Sequence, residues 1–429
     1  MKYLSLYIHI PFCVRKCHYC DFLSAPCTEE TKQEYLEILC IEIKQRAKLL
    51  KDRKVDTIFF GGGTPSLLSG EQLTKVMTVI KQEFCVLSDA EISMEINPGT
   101  VSREKLEAYQ RCGVNRLSIG LQSANNEELK VLGRIHTWET FVQTWNLVRD
   151  LGFQNVNIDL MSALPGQTLE SYENTLKKVL ALKPEHISAY SLIIEEGTKF
   201  YDWFGEEGGE WISSKEECQD FNLEDGNKKF QYKKLPDENV DRQMYEMTRD
   251  LLEAQGYYRY EISNYARKGY ECKHNVGYWK RKDYLGLGLG AASLISNVRS
   301  TNISELAEYL ALGRTVQSNR EDSKTAEEFP MWDKICHREI QWKWIAEQDE
   351  LSIKEQMEEF MFLGLRMMEG IHVDEFEKQF GKTLKEVYGE TISRLEKQGL
   401  LKVNGREDRY ALTLHGIDVS NQVFVEFIE

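Results

Sequence analysis

Cys13, Cys17 and Cys20 stand in a C-x3-C-x2-C spacing. Three thiolates so placed can hold three irons of a [4Fe–4S] cubane and leave the fourth iron open to a small molecule. The amino and carboxylate groups of S-adenosylmethionine (SAM) suit that open iron. One electron from the cluster can then break a C–S bond at the sulfonium and release a 5′-deoxyadenosyl radical. Two other readings fit the same thiols. A structural zinc needs four ligands, with His9 or His18 available as the fourth. Cys17 and Cys20 alone make a C-x-x-C dithiol, which goes with a thioredoxin-like context.

Further polar residues recur at the ends of apolar runs. Tyr7 lies on the run entering the cysteine loop, and Tyr19 and Phe22 flank Cys20, where aromatics can shield a cluster from water. Gly61-Gly62-Gly63-Thr64-Pro65 closes the second run. Glycines there let backbone approach a ligand closely, and their carbonyls can accept from an ammonium group. Neither a phosphate loop nor a dinucleotide fingerprint is present. Glu95, Gln122 with Ser123, Arg134 and Asp159 follow the third, fourth and fifth runs. Carboxylates suit ribose hydroxyls, and an arginine fork suits a carboxylate. Taken singly, each of these residues is as well explained by structure or solvation. The sixth run ends in Ser188-Ala189-Tyr190-Ser191.

The elements that must position these residues alternate. Strands are expected at 3–10, 55–60, 90–96, 115–120, 155–161 and 186–193, and helices at 28–50, 69–84, 102–112, 138–151 and 168–182. Thr28 reads as a helix cap, and Gly113 and Gly152 sit just past helix ends. Six βα units imply a parallel sheet with helices outside. The polar residues gather at strand C-termini, which favours a partial (β/α)6 TIM-like barrel over a doubly wound open sheet. Residues 1–200 are expected to form that barrel. Residues 201–240 read as a charged surface insertion, acidic from Glu206 to Asp220 and basic from Lys228 to Lys234. Residues 241–349 read as an extension that opens with a helix at 241–255 and is rich in aromatics and glycine over 257–296. Residues 350–429 read as a C-terminal winged-helix-like module, with helices at 352–368, 372–380 and 383–398 and a hairpin turning near Gly405.

The chain has 429 residues and a net charge of −15. That balance disfavours sequence-independent nucleic-acid binding. No run of ~18 apolar residues occurs, and the N-terminus is too polar for a signal peptide, so a cytoplasmic location is expected. The scattered Cys27, Cys40, Cys85, Cys112, Cys218, Cys272 and Cys336 lack a disulfide pattern and mostly suit buried small hydrophobes.

Tyr7-Ile8-His9-Ile10-Pro11-Phe12-Cys13, the cysteine spacing and Gly61-Gly62-Gly63-Thr64-Pro65-Ser66 together resemble the radical SAM superfamily. More narrowly they resemble the branch holding oxygen-independent coproporphyrinogen III dehydrogenase and the related haem chaperones. Arg116-Leu117-Ser118-Ile119-Gly120-Leu121-Gln122-Ser123, Leu132-Gly133-Arg134 and Asp159-Leu160-Met161 strengthen the match, and the resemblance covers nearly the whole chain apart from the charged insertion. The resemblance implies a [4Fe–4S] cluster on Cys13, Cys17 and Cys20. It implies SAM contacts from Tyr7, Gly62, Gly63, Thr64, Glu95, Gln122, Arg134 and Asp159, with Tyr19 and Ala189 as further candidates.

Within that branch the dehydrogenases carry a fourth cysteine where this chain has Phe22, and a longer segment ahead of the barrel. Both departures point to the chaperones. Cys272-Lys273-His274-Asn275-Val276-Gly277-Tyr278-Trp279 contains the H-N-x-x-Y-W signature that those chaperones carry, which is associated with haem binding. The resemblance therefore implies His274 as a haem ligand, with Cys272 as the alternative. From the residues alone, a satisfied histidine in an aromatic packing cluster fits as well. Gly286-Leu287-Gly288-Leu289-Gly290-Ala291-Ala292 implies close backbone packing or ligand approach.

The expected function is a haem chaperone that binds haem, cluster and SAM and delivers haem to recipient haemoproteins, membrane-bound ones included. An electron donor is implied, and the oligomeric state stays open, a homodimer included. The alternatives are oxidative decarboxylation of coproporphyrinogen III, or another radical SAM reaction on a tetrapyrrole.

Overall fold

The structure, a computed structural model, describes residues 2–205, 234–322, 343–404 and 409–428. Its first part alternates β1 (Lys2–Ile10), α1 (Glu29–Ala47), β2 (Arg53–Gly62), α2 (Gly70–Glu83), β3 (Cys85–Ile96), α3 (Arg103–Cys112) and β4 (Arg116–Gln122). It continues with α4 (Asn126–Val131), α5 (Trp138–Asp150), β5 (Val156–Ser162), α6 (Leu169–Leu182), β6 (His186–Ser191) and α7 (Lys199–Phe204). The starts of the long helices are written locally. Thr28, Ser69, Ser102, Thr137 and Thr168 each accept a backbone N–H with their side chain, and Ser69 completes a capping box with Gln72. The helices α4 and α7, six residues each, are too short for periodicity to reveal.

Strands β1 to β6 pair in parallel and in chain order. A doubly wound sheet reverses order at a switch point, whereas a barrel runs sequentially. The order therefore fits the partial barrel. The side-chain alternation has an uncommon content. Leu4, Leu6, Ile8 and Ile10 face the helices and are fully buried. The other face of β1 carries Ser5, Tyr7 and His9, in register with Thr57, Phe59 and Gly61 of β2. Further around, that face brings Glu91, Ser93, Glu95, Arg116, Ser118, Asn157, Asp159, His186, Ser188 and Tyr190 inward. Apolar packing is thus assigned to the helix layer, and the barrel lumen is left polar.

The next elements are α8 (Glu238–Ala254), β7 (Tyr258–Glu261), β8 (Asn264–Ala266), α9 (Lys273–Trp279), β9 (Tyr284–Leu287), β10 (Ala292–Ile295), β11 (Val298–Asn302), α10 (Leu306–Asp322) and β12 (Ile345–Glu350). They widen the sheet at both edges. β8 and β7 continue antiparallel from β6, while β9 joins β1 in parallel and β10 to β12 follow antiparallel, giving twelve strands. The charged residues from Glu206 to Lys233 lie outside the described residues, as does the turn expected near Gly405.

The C-terminal part holds α11 (Ile353–Gly364), β13 (Ile371–His372), α12 (Val373–Phe380), α13 (Leu384–Lys397), β14 (Leu401–Val403), β15 (Arg409–Leu412), α14 (Leu414–Asp418) and α15 (Ser420–Val425). Helix α11 stops at Gly364, short of the expected residue 368. The three strands pair as a small sheet, and Met361, Phe376, Ile392 and Phe427 belong to a separate apolar core. This module rests on the barrel through the Glu261–Met367 bridge, the Arg281–Glu359 ion pair at 2.6 Å and the Arg366 guanidinium 4.3 Å over the Trp279 ring.

Candidate functional site

The cysteine loop runs from Pro11 and returns at Ala25. It is closed by Cys13 N–H to the Ala25 carbonyl and Ala25 N–H to the Pro11 carbonyl. His9 bolts the strand to the returning loop, with Nδ1 3.0 Å from the Tyr7 hydroxyl and Nε2 2.8 Å from the Leu23 carbonyl. His18 Nδ1 lies 3.0 Å from the Val131 carbonyl. His9 thus has both ring nitrogens engaged away from the thiols, and His18 has its Nδ1 engaged, which disfavours either as the fourth ligand of a zinc. Cys13, Cys17 and Cys20 are half-buried and free of disulfides. Burial pushes the Cys13 thiol up, and pushes Cys20 to about 11, with lesser contributions from neighbouring cysteines.

The glycine turn after β2 fits beneath this loop. Gly63 N–H donates to the Ile10 carbonyl and Thr64 N–H to the Phe12 carbonyl. Gly62 has φ +109, and a Cβ there would lie 2.5 Å from the His9 ring; one at Gly63 would lie 2.6 Å from the Phe12 carbonyl oxygen. Only glycine fits at either position. Gly62 N–H also donates to Glu95 Oε2 at 3.2 Å.

Arg134 reaches across the mouth. Its Nη1 approaches Cys17 Sγ at 3.7 Å, and its Nη2 donates to Asn97 Oδ1 and the Gly120 carbonyl at 2.7 and 2.6 Å. Its Nε is shielded and has no partner among the described residues. Asn97 in turn donates to Thr64 Oγ1 at 2.8 Å, tying the second and third loops together. A cleft opens here between Cys17, Thr64, Asn97, Arg134, Ile135 and His136.

Below the cleft sit the two carboxylates. Glu95 is raised to about 8 by burial and then by the nearby Asp159 charge. Asp159 is raised by burial, against hydrogen bonds from Asn157 and Ser118 at 2.7 and 3.0 Å. Gln122 holds φ +70 and Ala163 φ +57, both uncommon for residues other than glycine. Such backbone strain concentrates where structure serves a ligand. Tyr7, Gly62, Gly63, Thr64, Glu95, Gln122, Arg134 and Asp159 are therefore brought to one end of the barrel. Tyr19 joins them from the cysteine loop, packed beside Met161 and Phe200. Ala189 does not. It belongs to the apolar core, on the face of β6 opposite Ser188 and Tyr190.

This donor set suits the group that the cysteine spacing implies. Three unpaired thiols ring a loop, a cationic fork with an unpartnered Nε stands beside one of them, and two carboxylates at raised pKa lie within reach. An arginine so placed suits a carboxylate ligand. The raised carboxylates gain most from a cationic neighbour.

His274 lies at the opposite end. Its Nδ1 is 2.8 Å from Thr57 Oγ1, and its Nε2 is 3.0 Å from the Tyr278 hydroxyl. The ring stacks on Phe59, and burial followed by the Arg116 charge lowers it to about 3. Cys272 is buried, and burial pushes its thiol up to about 12. The Cys272–Trp279 segment, with α9 as its helix, forms the barrel floor, and both candidate haem ligands are turned inward. The nearby glycines have a mechanical role. Gly288 N–H donates to buried Glu42, whose carboxylate also accepts from Asn302 and Tyr309. Tyr35 donates to the His9 carbonyl and accepts from Leu289 N–H, so the glycine turn supports the cysteine loop from beneath.

A radical SAM superfamily profile matches residues 7–179, and a HemN C-terminal domain profile matches residues 351–419. The haem chaperone HemW of Lactococcus lactis is 34% identical over 99% of this chain and 97% of its own length. That of Bacillus subtilis is 34% identical over 99% of both chains. The chain belongs to the HemW family of the radical SAM superfamily. HemW of Escherichia coli shares 38% identity over 76% of this chain and 80% of its own. The structure of coproporphyrinogen III oxidase (HemN) from Escherichia coli superposes with a TM-score of 0.76, at 24% identity, over 99% of this chain and 90% of that one, a likeness of fold. Among the described residues no helix is long and apolar enough to cross a membrane.

Sequence reasoning missed Asn97, Ser118 and Asn157, which hold Arg134 and Asp159 in place. Asn97 lies one residue past the strand expected at 90–96, where a turn explains an asparagine equally well. Ser118 and Asn157 carried a usable signal, since each is a polar residue at an inward position of a strand whose alternate positions are apolar. Of the remaining cysteines, Cys40, Cys112 and Cys272 are buried as expected, whereas Cys27 and Cys85 are exposed.

Proposed function

We propose that this chain is a haem chaperone of the cytoplasm. It takes up haem and delivers it to recipient haemoproteins, membrane-bound ones among them, while holding a [4Fe–4S] cluster and SAM in the barrel mouth. The observation that carries this reading is similarity to HemW chaperones along essentially the entire chain. Cys13, Cys17 and Cys20 would hold the cluster. Tyr7, Gly62, Gly63, Thr64, Glu95, Gln122, Arg134 and Asp159 would hold SAM. When bound, the cluster supplies an open iron and one electron, drawn from a separate donor. The chain's own residues do the rest. Arg134 offers its unpartnered Nε to a carboxylate, Glu95 and Asp159 favour a cation and ribose hydroxyls, and His9 ties the first strand to the returning loop.

Phe22 supports chaperoning over decarboxylation. It replaces a thiol with an apolar face, 59% exposed, beside the cluster loop. With Val14, Ile135 and Ile193, also exposed, it gives the mouth an apolar rim suited to a porphyrin. Ligation by His274 or Cys272 requires α9 to leave the barrel floor, because both are buried there and His274 has both ring nitrogens engaged.

The deciding experiment is anaerobic cluster reconstitution followed by haem titration, with assays for transferred haem and for porphyrin product. Intact haem passing to an apo-haemoprotein, with no protoporphyrinogen formed from coproporphyrinogen III, is the expected result. Product formation establishes the enzyme reading instead. The His274→Gln variant tests the ligand. A changed haem spectrum supports His274 as ligand, and an unchanged one removes it. Sedimentation of the haem-loaded protein tests for a homodimer.

A further inference from the structure

Between the floor and Asp159 at the mouth runs a line of buried polar groups that neither the cluster nor SAM uses directly. Cys272 N–H, at the N-terminal cap of α9, donates to the Tyr260 hydroxyl at 3.3 Å. That hydroxyl lies 2.8 Å from His186 Nε2, and His186 Nδ1 lies 2.6 Å from Asn157 Oδ1. Asn157 Nδ2 donates to Asp159 Oδ1 at 2.7 Å and to Ser118 Oγ at 2.7 Å, and Ser118 donates to Asp159 Oδ2 at 3.0 Å.

The protons in this line have one consistent arrangement. A carboxylate only accepts, so the NH2 of Asn157 faces Asp159 and its oxygen faces His186. His186 therefore carries its proton on Nδ1. Burial, and then the Arg116 charge, hold the ring neutral. Its Nε2 is then an acceptor, so Tyr260 donates to it while accepting from Cys272 N–H. Every donor in the line points toward Asp159, and hydrogen bonds so aligned polarise one another.

The far end of the line is anchored. Glu91 accepts from Lys273 N–H and His274 N–H at 3.1 and 3.2 Å, and His274 is held to Thr57. The Tyr260 carbonyl accepts from Met368 N–H of the C-terminal module at 3.0 Å. His186 is fully buried and Tyr260 nearly so.

We infer that Tyr260 and His186 are positioning residues: they fix the orientation and hydrogen-bonding state of Asp159, and through it the recognition of the ribose hydroxyls of the adenosyl ligand. This rests on Asp159 being a ribose contact, as proposed above. It gives the buried start of the α9 segment a role in SAM binding at the other end of the barrel.

The test compares SAM with its 2′-deoxy and 3′-deoxy analogues on the reconstituted full chain, by equilibrium binding under anaerobic conditions. The native protein is expected to bind at least one analogue about tenfold more weakly than SAM, the scale of one hydrogen bond to a charged group. In Tyr260→Phe, SAM binding weakens by several-fold while binding of that analogue holds, so discrimination collapses toward one. His186→Gln cuts the same line one link nearer Asp159, gives the same collapse, and carries the test if Tyr260→Phe does not fold. Variants that keep the native discrimination ratio, whether or not overall affinity falls, overturn the inference. A native protein that binds SAM without distinguishing the analogues overturns the ribose contact itself, a separate failure.

Discussion

The two ends of the barrel are built on opposite terms. At the floor, Cys272, His274 and Glu91 are buried with their polar groups engaged, and His274 has both ring nitrogens within hydrogen-bond distance of a partner. At the mouth, Arg134 Nε lacks a partner, Gln122 and Ala163 hold strained backbone, Glu95 is raised to about 8, and Phe22 faces solvent. The floor is not complete either, since Ser93 Oγ, Arg116 Nε and Trp279 Nε1 have no partner among the described residues. What separates the ends is access: the mouth opens on a cleft beside the cysteine loop, whereas the floor is buried where the barrel meets β9 and the C-terminal module.

The largest expected effect comes from breaking the joint. Glu91 is buried, caps the start of α9 and is one of the groups around the buried Arg116, whose charge is opposed by burial and favoured by Cys272, Glu91, Tyr260 and Asp159. Glu91→Ala leaves two N–H groups and part of a buried cation uncompensated. A loss of about 3–5 kcal/mol is expected, read as a lowered unfolding midpoint. An Arg134→Met variant at the mouth should cost less stability, because Arg134 is only half-buried beside the cleft and its removal strands no buried charge. It should instead weaken SAM binding by about tenfold or more. Equal destabilisation by the two variants breaks the comparison.

Two sets of buried groups respond to pH with opposite signs. His274 at the floor and His136 at the mouth's edge are each lowered to about 3, chiefly by burial, and buried His186 is lowered as well. Below about 6.5 the unfolded chain binds protons that the folded chain refuses, so stability falls as pH drops. The slope is about 1.4 kcal/mol per pH unit for each such histidine. Glu95 works the other way. Its folded value of about 8 lies above the ordinary carboxylate value, so the ligand-free protein loses stability as pH rises from about 4.5 to 8. Glu95→Gln should flatten that alkaline decline and leave the acid limb intact. A bound cation should flatten it too, so SAM should bind more tightly as pH rises through 8, and S-adenosylhomocysteine, which lacks the sulfonium charge, less so. Thermal unfolding against pH for the native chain and Glu95→Gln checks the sign.

The parallel core was legible because its signals are local. Apolar runs, a capping residue such as Thr28, and glycines past helix ends such as Gly113 need no tertiary context. The mouth was legible only as a set: taken singly, its glycines and charged groups are as well explained by structure or solvation, and it is their recurrence at strand C-termini, with the motifs they share with the family, that singles them out. The barrel order itself was only favoured, since nothing in a strand names its neighbour. The floor was harder to read. His274, Tyr278 and Trp279 have the residue types of a haem site, and types do not reveal whether a hydrogen bond is already made. That depends on Thr57 and Glu91, some 200 residues away along the chain and recognisable only once β2 and β3 are placed beside α9. The Ala189 side chain lies away from the mouth for a simpler reason: its parity on β6 turns it toward the helices.

The smallest expected effect on stability is also the sharpest on function. Phe22 sits at the mouth with most of its ring in water, so Phe22→Ala should change the unfolding free energy by no more than about 0.5 kcal/mol. If the apolar rim receives porphyrin, the same variant should weaken haem uptake several-fold, because a flat apolar face is lost from the contact. His274→Gln should do the reverse, lowering stability through its broken bonds to Thr57 and Tyr278 while leaving haem affinity in place. Haem titrations and unfolding curves on the two variants therefore cross. A Phe22→Ala protein with native haem affinity, beside a His274→Gln protein that has lost it, would move the haem site from the mouth to the floor and require α9 to open.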